Sequence, residues 1–252
     1  MKCKFCYVSF FNQKLDDFSL EIIQHANNLN FNVITFSGGD PFSKKNFRKA
    51  CMEAKQLDML THVDTNALAI KKHDLKFIDE NIDILGISLD GIESTHDNLR
   101  ESKNSFKKAA LIIQELKKSK TVIKINTVLT KENLNSLEGL SDFIDKNPKI
   151  SIWSIYQFFP LDAANTHKEK YSISNEEFDN QTNNLKVNPN LKVEIFPFSN
   201  RVDGYLFVNE LGQLFTNSID GKYIQMGSFF HKGLKDIELK EFINHRTQHR
   251  YE

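Results

Sequence analysis

The sequence lacks any long apolar run and any excess of charge of one sign. No apolar stretch approaches the roughly 20 residues that a helix needs to cross a bilayer, and the N-terminus carries no apolar core of a signal peptide. Lys plus Arg and Asp plus Glu number 33 each, so no global positive field attracts the phosphate backbone of a nucleic-acid duplex. We therefore expect a cytoplasmic protein with no membrane or duplex partner.

Cysteine is scarce, and its positions limit the chemistry that it can perform. Of three cysteines, Cys3 and Cys6 stand three apart at the N-terminus, which does not fit a secreted disulfide framework. The Cys3-Lys4-Phe5-Cys6 segment alone is compatible with zinc binding, thiol–disulfide exchange or iron–sulfur ligation. Zinc would need a second pair of ligands, but Cys51 lies in a helix-like run that favours a buried core position. A redox motif of the thioredoxin type would follow a strand, and no strand precedes this pair.

Short β-rich runs alternate with longer runs of helical period as far as residue 160. This alternation is typical of α/β proteins, in which crossover helices join parallel strands, and the continuous apolar character of the strands predicts a sheet covered on both faces. The predicted strands are Asn32–Phe36, Leu60–Val63, Ile84–Ser88, Val122–Val128 and Ile150–Gln157. The predicted helices are Leu15–Asn28, Lys44–Leu57, His73–Glu80, Phe106–Lys117 and Leu134–Asp145.

Polar residues collect where the predicted strands end. In chain order these ends carry Ser37-Gly38-Gly39-Asp40, Asp64-Thr65-Asn66, Ser88-Leu89-Asp90, Asn126 and Gln157. Because α/β barrels and open parallel sheets build their sites at the carboxyl ends of strands, the sequence predicts one functional rim formed by five strands.

The alternation stops after Pro160, and a smaller unit is predicted to follow. We divide the chain into a core of residues 1–160 and an α+β extension of residues 161–252. The extension is predicted to contain a strand at Val193–Phe196, a hairpin of Tyr205–Val208 with Gln213–Phe215, and a terminal helix at Glu238–Glu252.

The residues Met1-Lys2-Cys3-Lys4-Phe5-Cys6-Tyr7 resemble the second half of the radical S-adenosylmethionine (SAM) signature, in which three cysteines are spaced four and then three apart. The resemblance implies that Cys3 and Cys6 bind iron. The first cysteine of the signature would fall two residues before Met1, which is best explained by a misplaced start codon or a shortened chain. A degenerate protein that binds no cluster is the alternative.

Further segments resemble the same family. Gly38-Gly39-Asp40-Pro41 resembles its Gly-Gly-Glu-Pro segment, which receives the methionine end of SAM, and Asp replaces Glu here. The segment ending in Asn66 resembles the Thr-Asn-Gly strand end of the family. The segment from Ser88 to Asp90 resembles the strand end that touches the SAM ribose. The resemblance implies a partial (β/α)6 barrel whose first strand is missing from this chain.

The family's chemistry implies two cofactors and a reductant. A [4Fe-4S] cluster and SAM would together generate a radical that abstracts hydrogen from a small-molecule substrate, with electrons from a protein such as flavodoxin or ferredoxin. Phe5 would lie near adenine, and Gly38, Gly39, Asp40, Asn66, Ser88 and Asp90 would surround SAM.

Within the family, the viperin-like nucleotide-modifying branch is the nearer resemblance. It is carried by Lys124–Val128, Trp153–Gln157, Ile173–Phe178, Gly204–Leu206 and Asp220–Lys222, although the branch's usual C-terminal ending is absent and Ser154 stands where Lys is common. The resemblance implies that Arg100 and Lys124 face a nucleotide triphosphate, with Asn126 and Gln157 as further substrate contacts.

Two alternatives stay open at this point. Thr95-His96-Asp97 and Arg100 resemble a segment of peptide-modifying or small-metabolite-modifying members, but those members usually carry extra clusters and Gln213–Asn217 has no cysteine. The chain could instead be an inactive module without a complete cluster site.

Overall fold

The computed structural model describes residues 3–7, 17–202 and 205–231. The described helices are α1 Ser19–Asn28, α2 Phe47–Gln56, α3 Asp74–Asn81, α4 Ser94–Leu99, α5 Ser105–Glu115, α6 Leu137–Asp145, α7 Lys168–Tyr171 and α8 Asn175–Asn183. The strands of the larger sheet are β1 Val33–Phe36, β2 Leu60–Thr65, β3 Ile84–Ser88, β4 Val122–Leu129, β5 Ile150–Gln157 and β6 Lys192–Phe196. A smaller sheet contains β7 Phe207–Val208, β8 Gln213–Asn217 and β9 Tyr223–Ser228.

The larger sheet is parallel throughout and runs in the order β1-β2-β3-β4-β5-β6. Because every strand neighbours the next in sequence, the crossover helices lie on one face and the other face is left to line an interior. The predicted α/β class and the five predicted strands are confirmed. The five predicted helices are present, four of them with shorter bounds and α3 shifted by one residue, and α4 and α7 were not predicted.

The sheet continues past the predicted boundary at residue 160. The strand predicted at Val193–Phe196 pairs with β5 in parallel, and its register places Glu194 opposite Ser154. The main sheet therefore takes its sixth strand from the segment that the sequence assigned to the extension. The predicted hairpin is present as β7 and β8, and β9 adds a third antiparallel strand. The predicted terminal helix lies outside the described residues.

Two apolar clusters hold these elements together. The larger fills the space between the sheet and its helices, where Ile125, Leu129 and Trp153 are fully buried. A smaller cluster joins α1 and α2 to the small sheet. It contains Ile23 of α1, Ala50 of α2 and Leu214 of β8. The small sheet is thus packed on the first helices of the barrel. Within the described residues, no helix has the length and apolar character needed to cross a membrane.

Candidate active site

The two cysteines of the N-terminal motif lie on one tight turn. The Cys6 amide donates to the Cys3 carbonyl oxygen over 3.1 Å, and both residues are half-buried. The Cys3 thiol donates to the carbonyl oxygen of Arg100 at 3.8 Å. Burial raises the pKa of Cys3 to about 11, while the nearby Arg100 guanidinium acts in the opposite direction. A metal ion that binds here must therefore displace the thiol proton.

Phe5, between the two cysteines, anchors the turn in an apolar cluster. The cluster contains Leu99, Phe158, Ala164 and Tyr171, and the Phe5 and Tyr171 rings meet edge to face at 5.9 Å. The Arg100 guanidinium lies over the Phe5 ring at 5.4 Å. The structure therefore buries Phe5 on the cysteine turn, and its predicted place near adenine stays a prediction. Its partners Phe158 and Tyr171 were missed, because contacts between residues this far apart in sequence leave no signal in a local pattern.

The turn after β1 offers backbone and open space. Gly38 has a φ of +102°, which L side chains rarely adopt, and a Cβ there would meet no atom within 4 Å. A Cβ at Gly39 would meet only the Lys44 Cε atom, at 3.9 Å. Neither glycine is therefore required for packing, and the pair leaves room for a ligand to approach the backbone.

Asp40 fastens this turn to the end of β2. One carboxylate oxygen accepts from the Phe42 amide at 3.1 Å, and the other accepts from the Thr65 hydroxyl at 2.8 Å and the Asn66 amide at 3.0 Å. The Asn66 side chain in turn accepts from the Leu68 amide. The predicted residues Asp40 and Asn66 are thus brought together, and three protein donors already engage the Asp40 carboxylate.

Asp90 is fully buried at the end of β3 and joins neighbouring elements. Its carboxylate accepts from Arg100 Nε at 2.5 Å and from the Val128 amide at 2.9 Å. Its amide donates to His96 Nδ1, and its carbonyl oxygen accepts from Asn133. Asp90 and Arg100, predicted as ribose and phosphate contacts, therefore form one buried ion pair.

The inner face of the sheet is polar. Alternate residues of each strand face away from the helices, and the register places Ser88 opposite Asn126, Asn126 opposite Ser154, and Ser154 opposite Glu194. This row crosses four strands. The register therefore brings together Ser88, predicted for the SAM site, and Asn126, predicted for the substrate site.

Lys124 lies in this interior, bound to a residue that was not predicted. Its ammonium group donates to Glu194 at 3.0 Å, with side-chain exposures of 3% and 10%. The Ser154 hydroxyl donates to the same carboxylate oxygen. Lys124 and Arg100 thus occupy separate ion pairs. Glu194 was missed because its segment was assigned outside the core sheet.

A second polar group lies beside it on β2 and β4. Asn126 Nδ2 donates to Asp64 Oδ1 at 2.6 Å, and His62 Nε2 lies 3.2 Å from the same oxygen. Within the described residues, the buried Asn126 Oδ1 has no hydrogen-bond partner. A Cβ at Gly86 would lie 2.2 Å from Asp64 Oδ1. The absence of a side chain at Gly86 thus makes room for this group.

Gln157 does not join these residues. It faces the helices rather than the interior, and its amide donates to the Ile173 carbonyl oxygen and to Asn175. Its side-chain oxygen accepts from the Phe198 amide. The structure therefore places Gln157 as a bridge to the segments that follow β5.

The donor set supplies two thiols on one turn, the ligand type and spacing that iron–sulfur clusters take. Within the described part of the chain, no three His, Cys, Asp or Glu side chains form a further metal-holding group. Cys3 and Cys6 therefore fit two cluster ligands, and the open turn at Gly38 and Gly39 fits a ligand beside them.

The sequence pattern of the radical SAM superfamily matches residues 1–144. A protein from Flammeovirga pacifica, named S-adenosylmethionine-dependent nucleotide dehydratase, is 28% identical over 93% of this chain and 84% of its own length. A protein of the same name from Lacinutrix mariniflava is 28% identical over 86% of this chain, which spans only 48% of that relative.

Solved structures show the same fold. SuiB from Streptococcus suis, bound to S-adenosylmethionine, matches with a TM-score of 0.65 at 18% identity, over 84% of this chain and 56% of that one. The protein anSMEcpe with bound AdoMet matches with a TM-score of 0.67 at 17% identity, over 99% of this chain and 78% of that one. Radical SAM enzymes use a [4Fe-4S] cluster and SAM. With more than half of its length matched, this chain belongs to the radical SAM superfamily.

Proposed function

We propose that this chain is a radical SAM enzyme that dehydrates a nucleotide. Its family membership and two relatives named nucleotide dehydratases support this proposal. The observation that supports the nucleotide substrate most directly is the Lys124 ammonium group on the inner face of the larger sheet. Lys124 is 2% exposed and shares the inner face with Asn126, and an ammonium group beside an amide suits a phosphorylated, hydrogen-bonding substrate.

The cofactor site in this proposal uses the residues at the carboxyl edge of the sheet. Cys3 and Cys6 would hold the cluster, with Phe5 packed beside adenine. The backbone at Gly38 and Gly39 would receive the methionine end of SAM, oriented by Asp40. When bound, the cluster and SAM supply a carbon radical that can abstract a hydrogen atom.

Asn66 and Ser88 complete that proposed SAM site. Asn66 follows the turn that Asp40 fastens. Ser88 lies on the inner face opposite Asn126, between the proposed SAM and substrate groups. Asp90 would position Arg100, because its carboxylate accepts a hydrogen bond from Arg100 Nε while the Arg100 guanidinium lies over the Phe5 ring.

The remaining interior residues position the substrate. Glu194 and Ser154 fix the direction of the Lys124 ammonium group. Above them, the Tyr156 and Phe196 rings stack at 4.8 Å. If these rings limit the access of water to the bound substrate, a charge–phosphate contact at Lys124 would be stronger than one in solvent. Gln157 would act indirectly, by fixing the segments at Ile173 and Phe198 to the end of β5.

Removal of the Lys124 charge tests the substrate class. Lys124→Met alone would remove the closer of the two ammonium groups beside the buried Glu194 carboxylate, at 3.0 Å, and leave Lys192 at 4.0 Å. A buried charge that loses a partner is destabilising, so we pair this change with Glu194→Gln. Lys149→Met is the matched control, because Lys149 bonds to the Ser119 carbonyl oxygen outside the site. Each variant is reconstituted anaerobically and assayed for nucleotide dehydration and 5′-deoxyadenosine.

We expect the double variant to raise the nucleotide KM at least about tenfold, the ratio for a charged contact of about 1.5 kcal/mol or more, while SAM binding persists. The control should match the wild type. Dehydration with an unchanged KM in the double variant would contradict a substrate site at Lys124. Absence of nucleotide turnover in the cluster-loaded wild type would contradict the proposed substrate class.

A further inference from the structure

The small C-terminal sheet reaches the cysteine turn at the other end of the chain. The hydroxyl of Tyr223, the first residue of β9, donates to the carbonyl oxygen of Tyr7 at 3.2 Å. Tyr7 directly follows Cys6, and 216 positions separate the two tyrosines. A side chain outside the matched region 1–144 thus contacts the backbone beside Cys6, one of the two proposed iron ligands.

Ring contacts reinforce this hydrogen bond. Tyr7 lies 6.3 Å from the Phe207 ring of β7, and Phe207 meets Tyr223 edge to face at 5.7 Å. Tyr223 also contacts Phe215 of β8 at 6.2 Å. Each strand of the small sheet therefore contributes an aromatic ring to this contact group.

Tyr7 also connects the turn to the barrel. Its side chain hydrogen-bonds Ser37, the residue before the two glycines, and burial beside the Asp64 carboxylate raises the pKa of Tyr7 to about 12. The Tyr7 main chain is therefore held by the small sheet, whereas its side chain is held by the larger one.

The small sheet is itself fixed in place. Gly221, with a φ of +76°, lies so close to the segment after β5 that a Cβ would be 2.2 Å from the Pro160 carbonyl oxygen. The Asp162 amide donates to the Gly221 carbonyl oxygen at 2.8 Å. Leu214 packs in the cluster with Ile23 of α1. The strand that carries Tyr223 is therefore held in place by contacts with the segment after β5 and with α1.

We infer that Tyr223 is a positioning residue for the cluster site, holding the cysteine turn in its ligating geometry through the Tyr7 carbonyl. The inference rests on the cysteines as cluster ligands and is independent of the nucleotide substrate. Loss of this hydrogen bond frees the main chain beside Cys6, so that its thiolate leaves iron more often.

The test compares Tyr223→Phe, which removes only the hydroxyl, with Thr216→Val. Thr216 donates to the Tyr205 carbonyl oxygen at 3.0 Å, so the control loses the same kind of bond in the same sheet without touching the cysteine turn. Holoprotein is prepared anaerobically, from the 252-residue chain and with any in-frame codons before Met1. Iron loss to a chelator is followed by absorbance, and the reduced cluster by electron paramagnetic resonance.

We expect Tyr223→Phe to lose iron about fivefold faster than the wild type, the ratio for a hydrogen bond of about 1 kcal/mol, and Thr216→Val to match the wild type. Hydrogen exchange of apoprotein amides 3–7 should also accelerate in Tyr223→Phe alone, which tests the contact without a cluster. Equal iron loss in both variants, or unchanged exchange at the turn, would overturn the inference.

Discussion

Gly86 lies where a side chain would strike the hydrogen-bonded group of Asp64 and Asn126. A Cβ would be 2.2 Å from Asp64 Oδ1 and 2.6 Å from Asn126 Nδ2. We predict that Gly86→Ala lowers the free energy of unfolding by about 1–3 kcal/mol, as overpacking of a filled interior does. Chemical denaturation of the apoprotein measures this loss.

Gly39 provides the contrasting case. A Cβ there would meet only Lys44 Cε at 3.9 Å, so Gly39→Ala should leave the unfolding free energy within about 0.5 kcal/mol of the wild type. If SAM approaches this backbone, the same variant should weaken SAM binding by equilibrium dialysis. Full SAM affinity in Gly39→Ala would contradict the placement of SAM at this turn.

His96 makes stability depend on pH. Burial, together with the Arg100 charge, lowers the pKa of His96 from 6.5 to about 4, although Asp90 and Asp97 act in the opposite direction. The folded state therefore keeps His96 neutral, with Nδ1 accepting from the Asp90 amide at 3.1 Å. The neutral His96 contributes fully to the free energy of unfolding above pH 6.5. This contribution is lost as the pH falls from 6.5 towards 4, because the imidazole binds a proton more tightly in the unfolded state than in the folded state.

Between about pH 7 and pH 5, this residue should account for a loss of roughly 2 kcal/mol of unfolding free energy. His96→Gln removes the titration and retains an acceptor, so its stability should fall less steeply over the same interval. Urea titrations at several pH values measure both slopes. Parallel slopes would show that His96 does not titrate in this way.

For individual residues, the sequence predicted which side chains lie near the strand ends better than it predicted their hydrogen-bond partners. Asp40 follows β1 and Ser88 ends β3, so both lie near the carboxyl edge of the sheet, where parallel strands build their sites. Which donors engage a carboxylate depends on residues distant in sequence, such as Thr65 with Asp40. No pattern along one strand shows these contacts.

Among the secondary-structure elements, the buried Asp90–Arg100 pair connects β3, α4 and β4. Arg100 directly follows the last residue of α4, and the Asp90 carboxylate also accepts from the Val128 amide of β4. Arg100→Met should destabilise the protein by about 3–5 kcal/mol, because it leaves a buried charge unpaired. Thermal unfolding measures the loss.

The double variant Asp90→Asn with Arg100→Met is the control for this pair. We expect it to lose less stability than the two single losses combined, since neither buried charge then remains uncompensated. Strict additivity in the double-mutant cycle would contradict coupling of the two residues.

The strands with continuous apolar runs were predicted well. The sequence placed β6 in the C-terminal extension, and the structure pairs it with β5 of the larger sheet. Lys192–Phe196 alternates polar and apolar residues, the pattern of a half-exposed strand, and it lies at the sheet edge. Such a pattern cannot distinguish the edge of a parallel sheet from a separate hairpin. Glu194, the partner of Lys124, was therefore outside the predicted site.

For the whole molecule, the small sheet contacts the turn that carries Cys3 and Cys6. The small sheet packs on α1 and α2 and bonds to the cysteine turn through Tyr223. The sequence predicted the hairpin but not where it packs. Its packing on α1 and α2 depends on side chains that only the complete fold brings together. The C-terminal segment should accordingly influence cluster retention as well as stability.

Radical SAM chemistry on a nucleotide by this chain can be tested in one experiment. The protein is reconstituted anaerobically, from Met1 and with any in-frame codons before it, its iron is counted, and 5′-deoxyadenosine is quantified with SAM and reductant. We expect about four irons per chain and 5′-deoxyadenosine formation that rises with CTP alongside loss of water from the nucleotide. A protein that holds no cluster in either form, or that cleaves SAM without altering any nucleotide, would contradict it.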